Sequence, residues 1–108
     1  MSINMDVSII IVSYNTKKLL SDCLSSIYKS LQSSKITFEV IVVDNVSKDG
    51  TREMLKKEFK NVVTILNSQN AGFGKANNQG IRKAKGTFTL LINSDTVVLD
   101  DAIGELFR

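Results

Sequence analysis

The 108-residue sequence predicts an α/β fold, a Rossmann-like, doubly wound and mostly parallel sheet with helices on both faces. Short β-branched runs alternate with amphipathic segments along the whole chain, which is the pattern of consecutive strand-helix-strand units. These runs are apolar on both faces instead of on alternate residues, as is typical of parallel strands that are covered on two sides. We therefore expect right-handed crossovers and the strand order 3-2-1-4.

The first half of the chain predicts two strands and two helices. Residues 7–12 form the first β-branched run, and residues 16–32 follow with apolar side chains at helical spacing. The second strand is predicted at 38–43. A short helix is then expected from about residue 50 to residue 59, with Asp49 as its candidate cap.

The second half repeats the alternation. A third strand is predicted at 62–66, a helix from near Gly74 to about Lys85, a fourth strand at 87–92 and a last helix from about Asp100. Proline is absent and the glycines cluster between these segments, so no linker is predicted. We expect residues 1–108 to belong to one domain.

Composition excludes several classes of site and partner. Histidine is absent, which rules out Ser-His-Asp triads and imidazole metal sites. The net charge of +3 comes from scattered lysines, so nucleic acid is not a predicted partner. Apolar runs such as Ile9–Val12 are far shorter than the roughly 20 residues of a membrane span. The lone Cys23 and the lack of a signal peptide predict a cytoplasmic location.

Three of the predicted strands end in polar clusters. In the order 3-2-1-4 the sheet changes direction between strands one and four, which opens a crevice at their carboxyl ends. The loop after strand one and the loop after strand four would form its walls, and the end of strand two lies beside it. The residues at these three ends are Ser13, Tyr14, Asn15 and Thr16, then Asp44 and Asn45, then Asn93, Ser94, Asp95 and Thr96.

These residue types suit a nucleotide sugar. Tyr14 could stack on a base, Asp44 could accept a hydrogen bond from a base or a ribose, and Asp95 could hold Mg²⁺ or Mn²⁺ against phosphate oxygens. Each has a structural alternative. Tyr14 could pack on a neighbouring loop, and Asp44 could form an Asx-turn.

Residues 70–75 supply a glycine-bearing turn, a helix start and a lysine, all of which favour an anion. The segment matches neither of two phosphate-binding fingerprints. Asn77 occupies the third glycine position of the dinucleotide pattern, and Ala76 occupies the Ser/Thr position of the P-loop. Lys75 could also be an ordinary solvated helix residue.

Four segments together resemble family 2 glycosyltransferases: residues 7–15, 42–51, 70–80 and 91–95, in the order found in that family. The pairing of Gly72-Phe73-Gly74 with Asn77-Asn78 is further similar to the rhamnosyltransferase-like branch. The resemblance implies a GT-A fold whose first half binds the nucleotide of the donor. It also implies transfer with inversion at the anomeric carbon of the sugar.

The resemblance assigns roles by position. Residues 13–15 match the nucleotide-contacting loop, Asp44 matches the acid that contacts the base, and the segment with Asn70, Gly72 and Lys75 helps to hold the donor. Residues 93–95 match the Asp-x-Asp metal motif, although Asn93 replaces its first acid. Asp95 is therefore the expected acidic ligand for Mg²⁺ or Mn²⁺, and Asn93 and Ser94 are expected beside the donor.

The resemblance also implies partners. The donor would be a nucleotide-diphospho-sugar, with UDP or dTDP as the favoured nucleotide, and the acceptor a glycan or a lipid-linked glycan. In this family the catalytic base follows the metal motif at a distance, so we expect it beyond Arg108. The chain is then the donor-binding portion of a longer cytoplasmic enzyme, with the inner face of the membrane as an alternative location.

Two other hypotheses are open. A non-enzymatic, flavodoxin-like signalling domain would bind Mg²⁺ at strand-end acids and accept a phosphoryl group. Such a domain needs paired acids after its first strand, where this chain has Tyr14 and Asn15. The exposed edge of strand four could also pair with a second copy, so self-association is predicted.

Overall fold

The computed structural model describes residues 5–107, and in that range strands and helices alternate without exception. Each predicted element is present. Their bounds are β1 Met5–Ser13, α1 Lys17–Leu31, β2 Phe38–Asp44, α2 Thr51–Glu58, β3 Val63–Leu66, α3 Phe73–Lys83, β4 Gly86–Leu91 and α4 Ala102–Leu106.

The four strands form one parallel sheet in the order β3-β2-β1-β4, which confirms the predicted topology. Ser13 at the end of β1 lies opposite Asp44 at the end of β2, and Asp44 lies opposite Leu66 at the end of β3. The carboxyl ends of these strands are therefore level. The loops that follow them meet at one edge of the sheet.

Helices cover both faces of the sheet, as predicted. The larger core cluster joins β1 and β2 to α1, α2 and α4, with side chains such as Ile9, Leu24, Leu55 and Ile103. The smaller cluster packs Ala76 of α3 against the opposite face. Because both faces of β1 and β2 are covered, their β-branched side chains are buried throughout residues 7–12 and 40–43.

The helix starts differ slightly from the prediction. Gly72 has a φ of +83°, so the loop ends there and α3 begins at Phe73. The N-cap position of α2 is Gly50, one residue after the predicted cap Asp49. The Asp49 carboxylate still accepts hydrogen bonds from the Thr51 backbone and hydroxyl, at 3.2 and 2.5 Å.

Across the part of the chain that the structure describes, no helix has both the length and the apolar character needed to cross a bilayer.

Candidate functional site

A cleft of about 520 Å³ opens at the carboxyl edge of the sheet, between the loops after β1 and β4 and the turn before α3. It lies where the strand order reverses, the position at which open α/β sheets bind ligands. Its lining residues are Val12, Tyr14, Thr16, Leu19, Asn45, Asn70, Gly72, Phe73, Asn93, Ser94 and Asp95.

The structure brings most of the predicted site residues to this cleft. Six of the ten line it: Tyr14, Asn70, Gly72, Asn93, Ser94 and Asp95. The other four, Ser13, Asn15, Asp44 and Lys75, lie outside its lining. Ser13 is fully buried, and its hydroxyl lies 3.3 Å from that of Thr16.

A larger cavity of about 740 Å³ opens elsewhere, among residues that include Asp6, Lys29 and Asp100. Asp6 lies near the start of β1, so this cavity is at the opposite end of the sheet from the strand-end residues. By volume alone, this larger cavity would be preferred as the candidate site. We take the smaller cleft as the candidate site because parallel α/β sheets bind ligands at their carboxyl edge.

Asp95 presents a free carboxylate to the cleft. The residue is exposed, and its carboxylate forms no hydrogen bond or ion pair with any residue in the range 5–107. Its neighbour Ser94 accepts a hydrogen bond of 3.2 Å from Thr16 across the point where the sheet reverses. The loops after β1 and β4 are thus joined directly beside the acid.

Cys23 of α1 lies beneath this acidic loop. Its thiol donates to the backbone oxygen of Asn93 over 3.8 Å. Burial, and then the negative charge of Asp95, raise the pKa of Cys23 to about 11. The thiol is therefore protonated at neutral pH, which fits the predicted role of a small core residue.

Asp44 is fully buried, unlike Asp95. Its carboxylate accepts hydrogen bonds from the Ser47 amide and hydroxyl, at 2.9 and 2.5 Å, and from Arg52 Nε at 2.7 Å. Asp44 accepts from the amide three residues on, whereas the Asx-turn that the sequence offered as an alternative would use the amide two residues on. The contact of Asp44 with a base stays a prediction, and it requires a rearrangement that exposes the carboxylate.

Asn15 joins the loops after β1 and β2. It has a φ of 52°, a left-handed conformation that Asn tolerates better than most residues. Its amide N–H donates to Ser47 Oγ at 2.8 Å, and its side-chain oxygen accepts from the Lys48 amide at 2.8 Å. Asn15 therefore orients the neighbouring Tyr14, whose side chain is half exposed at the cleft.

The turn before α3 depends on Gly72. Its φ of +83° and ψ of 164° belong to a region that only glycine occupies readily. The Gly72 N–H donates to Asn70 Oδ1 at 2.8 Å, and α3 begins at the next residue. Lys75 lies exposed in the first turn of that helix.

Sequence reasoning missed four polar or large side chains of the lining: Thr16, Leu19, Asn45 and Phe73. Phe73 is 62% exposed at the cleft and lies between two glycines, a setting that could have marked it as a ligand-facing ring. Asn45 directly follows Asp44, so the strand-end cluster already contained it. Thr16 likewise belongs to the polar cluster after the first strand, whereas Leu19 carries no comparable signal in the sequence.

The family comparison decides between the hypotheses. The model of the family described as "Glycosyl transferase family 2" matches residues 8–108. The chain belongs to glycosyl transferase family 2. This confirms the resemblance and favours a transferase over the flavodoxin-like signalling domain.

Curated relatives of this family 2 chain are larger proteins. Poly(ribitol-phosphate) beta-glucosyltransferase of Bacillus spizizenii is 36% identical over 103 residues, which cover 92% of this chain and 16% of that protein. Poly(ribitol-phosphate) beta-N-acetylglucosaminyltransferase TarS of Staphylococcus aureus is 33% identical over 98 residues, 87% of this chain and 17% of TarS. The family 2 chain thus spans about a sixth of each relative.

Solved structures share the fold. S. aureus TarS 1-349 in complex with UDP superposes with a TM-score of 0.84 at 28% identity, covering 95% of this chain and 31% of that one. The mannosyltransferase PcManGT of Pyrobaculum calidifontis, solved with GDP-Man and Mn²⁺, superposes with a TM-score of 0.76 at 24% identity. The match covers 93% of this chain and 30% of PcManGT. These matches confirm the GT-A fold. The narrower resemblance to the rhamnosyltransferase-like branch stays a prediction.

Proposed function

We propose that this chain is the donor-binding part of an inverting glycosyltransferase that takes its sugar from a nucleotide-diphospho-sugar. The observation that carries the proposal is the cleft at the reversal of the sheet, which combines a free carboxylate, two exposed aromatic rings and a helix start. The acceptor is a hydroxyl of a polysaccharide or another cell-surface glycan. In support, two relatives are named for transfer to poly(ribitol-phosphate).

The nucleotide is UDP, with dTDP as its close alternative. The rings of Tyr14 and Phe73 are exposed at the cleft and offer faces on which a base can stack. TarS, at 27–28% identity, was solved with UDP and with UDP-GlcNAc. Asp44 would accept an N–H of the base once a rearrangement exposes its carboxylate and displaces one of its hydrogen bonds to Ser47.

The diphosphate lies at the start of α3. The helix N-terminus presents backbone N–H groups and a partial positive charge, both of which favour phosphate oxygens. The surroundings of Gly72 are open, since no described residue other than its chain neighbours lies within 4 Å of the position a Cβ would take, and a ligand can therefore approach the backbone. Lys75 in the first helical turn adds a positive charge nearby.

A divalent cation, Mg²⁺ or Mn²⁺, fits the donor set at Asp95. A carboxylate about 4 Å from a phosphate oxygen is repelled by roughly 4 kcal/mol at an effective dielectric near 20. Among residues 5–107, no three His, Cys, Asp or Glu side chains are grouped to enclose a metal. One carboxylate is nevertheless sufficient for Mg²⁺, which binds through few protein groups and the phosphates.

When bound, the cation supplies Lewis-acid assistance by neutralising charge on the departing diphosphate. Asp95 would hold it, and Asn93 would offer a neutral amide oxygen beside it. Ser94 orients this loop through its hydrogen bond with Thr16. We assign the donor to this cleft and place the base that deprotonates the acceptor outside it.

Isothermal titration calorimetry with UDP, with and without Mn²⁺, tests the proposal. We expect Mn²⁺ to strengthen UDP binding in the wild type, because the cation removes the repulsion between Asp95 and the phosphates. The variant Asp95→Asn should lose this dependence on Mn²⁺. Asp100→Asn is the matched control, since Asp100 is an exposed acid of the same segment that does not line the cleft.

Absence of UDP and dTDP binding by the wild type would contradict the donor site. UDP binding that does not respond to Mn²⁺, or that keeps its response in Asp95→Asn, would contradict only the metal assignment. The two parts of the proposal are thus tested separately.

A further inference from the structure

Three amide side chains form a hydrogen-bonded cluster behind the cleft: Asn45, Asn67 and Gln79, here called the amide cluster. Asn67 Nδ2 donates to Asn45 Oδ1 at 2.9 Å and to Gln79 Oε1 at 2.8 Å. Gln79 Nε2 donates back to Asn67 Oδ1 at 2.9 Å. The cluster thereby connects the ends of β2 and β3 with α3.

The amide cluster reaches the cleft through Asn45 alone. Asn45 is 3% exposed and lines the cleft, whereas Asn67 and Gln79 do not. Its side-chain oxygen accepts from the Ala71 amide at 3.2 Å, and its Nδ2 donates to the Gly72 carbonyl at 3.3 Å. Asn45 therefore binds the turn before α3 at two successive residues.

Arg52 of α2 binds the backbone of Asn67, one member of the amide cluster. Its guanidinium donates to the backbone oxygen of Asn67 at 2.5 Å and to Asp44 Oδ2 at 2.7 Å. Hydrogen bonds from a charged donor are stronger than those between neutral groups. The start of the segment after β3 is therefore held firmly against the end of β2, which brings the Asn67 side chain to Asn45.

We infer that Asn67 is a positioning residue for the donor cleft: it fixes the Asn45 amide, and through it the Gly72 turn, without touching the cleft itself. Within residues 5–107, nothing except the chain neighbours of Gly72 lies within 4 Å of its Cβ position, so no packing contact holds the turn at that point. Apart from the first helical bond of α3, from the Ala76 amide to the Gly72 carbonyl at 3.1 Å, the turn is held by its hydrogen bonds to Asn45 and Asn70. The inference rests on the proposed function insofar as the turn receives the diphosphate of the donor.

The test replaces Asn67 by Leu, which removes all three side-chain hydrogen bonds at similar volume. Asn61→Leu is the matched control, because Asn61 is an exposed Asn before the opposite end of β3. Three quantities are measured: hydrogen exchange at the Ala71 amide, hydrogen exchange at the amides of β1, and UDP affinity by calorimetry.

We expect Asn67→Leu to speed exchange at Ala71 and to weaken UDP binding, each about tenfold. Exchange at the β1 amides should stay at its wild-type rate, which distinguishes a loosened turn from a destabilised fold. The control should match the wild type in all three measurements. Gln79→Leu, which leaves the bond between Asn67 and Asn45 intact, should show a smaller increase at Ala71.

Wild-type exchange at Ala71 in a folded Asn67→Leu variant would overturn the inference. An equal increase at Ala71 and in β1 would also overturn it, because it shows general destabilisation only. Should Asn67→Leu not fold, an unchanged Ala71 rate in Gln79→Leu overturns it instead. If the wild type binds neither UDP nor dTDP, the proposed function fails, while the exchange rates still decide the positioning role.

Discussion

Single residues at the carboxyl edge of the sheet connect elements that are distant in sequence. The carboxylate of Asp49 accepts from the backbone amides of Lys17 at 2.9 Å and Thr51 at 3.2 Å, the first residues of α1 and α2. A negative charge at a helix N-terminus is favourable, and here one carboxylate serves two helices. The loops that carry the cleft are thereby held to the helices behind them.

The first prediction concerns the charge of Asp49. Burial acts to raise its pKa, but hydrogen bonds from the Thr51 hydroxyl and from the Lys17 and Thr51 amides outweigh burial and lower it below the ordinary value of 3.8. Its stabilising contribution is therefore complete above pH 3.8 and is lost as the pH falls through the lowered value. We expect Asp49→Asn to cost about 0.5–1 kcal/mol at neutral pH.

Urea denaturation between pH 2 and pH 7 checks this prediction. The difference in unfolding free energy between wild type and Asp49→Asn should shrink at the acid end. Glu58→Gln, an exposed acid late in α2, serves as the control. A difference that stays constant over the whole range would show that the Asp49 charge does not contribute.

The second prediction compares two glycines near the cleft. Gly72→Ala should destabilise the fold by about 1–3 kcal/mol, because alanine is strained at a φ of +83° and a ψ of 164°. Gly74→Ala is the matched control. Gly74 is helical with open space around it, so alanine should be neutral or stabilising by up to about 1 kcal/mol. Equal unfolding free energies for the two variants would contradict the strain argument.

At the scale of elements, α3 is placed by its close approach to the sheet. A Cβ added at Gly80 would lie 2.5 Å from Ile10 Cγ2 of β1, closer than two non-bonded carbon atoms can approach. The helix rests on β1 at this glycine, and its first turn consequently reaches the cleft. Packing at the far end of the helix thus sets the distance of α3 from the sheet, while hydrogen bonds fix the turn before it, to which we assign the diphosphate.

The third prediction tests this packing. Gly80→Ala should push α3 away from the sheet and cost about 1–3 kcal/mol, since extra volume in a packed contact forces shifts of side chains or backbone. Thermal unfolding provides the measurement, and Gly74→Ala on the same helix again provides the control. Stability equal to that of the wild type would show that α3 can move without cost.

Elements whose side chains are buried on both faces were predictable, because burial leaves a strong pattern in the sequence. β1 and β2 show unbroken β-branched runs, and the reversal of the sheet between β1 and β4 follows from the order of strands and helices. The same argument brought Tyr14 and Asp95 to one cleft. These two lie about 80 residues apart in sequence and meet only through topology.

The hydrogen bonds of the site were not predictable in the same way. Asp44 forms an ion pair with Arg52, and Asn67 forms hydrogen bonds with Gln79. Both contacts depend on how α2 and α3 pack against the sheet. Polar side chains carry no periodic signal, so a sequence cannot show which of them pair with each other and which face a ligand. Asp95 and Asp44 look alike in sequence for this reason, although one is free and the other buried.

At the scale of the whole molecule, β4 is one of the two edge strands of the sheet among the described residues, and β3 is the other. β4 pairs with β1 on one side, and its side chains Phe88 and Leu91 are 58% and 50% exposed. An exposed apolar edge strand is a template for pairing with another chain. The predicted self-association would therefore use this edge.

The fourth prediction is that the chain dimerises with increasing concentration through β4. Leu91→Lys should reduce association, because a charge on an edge strand opposes pairing. Light scattering over a range of concentrations gives the mass. Lys85→Met, which changes an exposed lysine just before β4, serves as the control. A wild type that stays monomeric at every concentration would contradict the prediction.

The most direct test of the account is whether a divalent cation bound with the nucleotide lies at Asp95. Nuclear magnetic resonance of the wild type with UDP and substoichiometric Mn²⁺ reports this, because the paramagnetic ion broadens the amide signals nearest to it. We predict selective broadening at residues 93–96 that requires UDP and disappears in Asp95→Asn. Broadening confined to other parts of the chain, or unchanged in Asp95→Asn, would contradict the account.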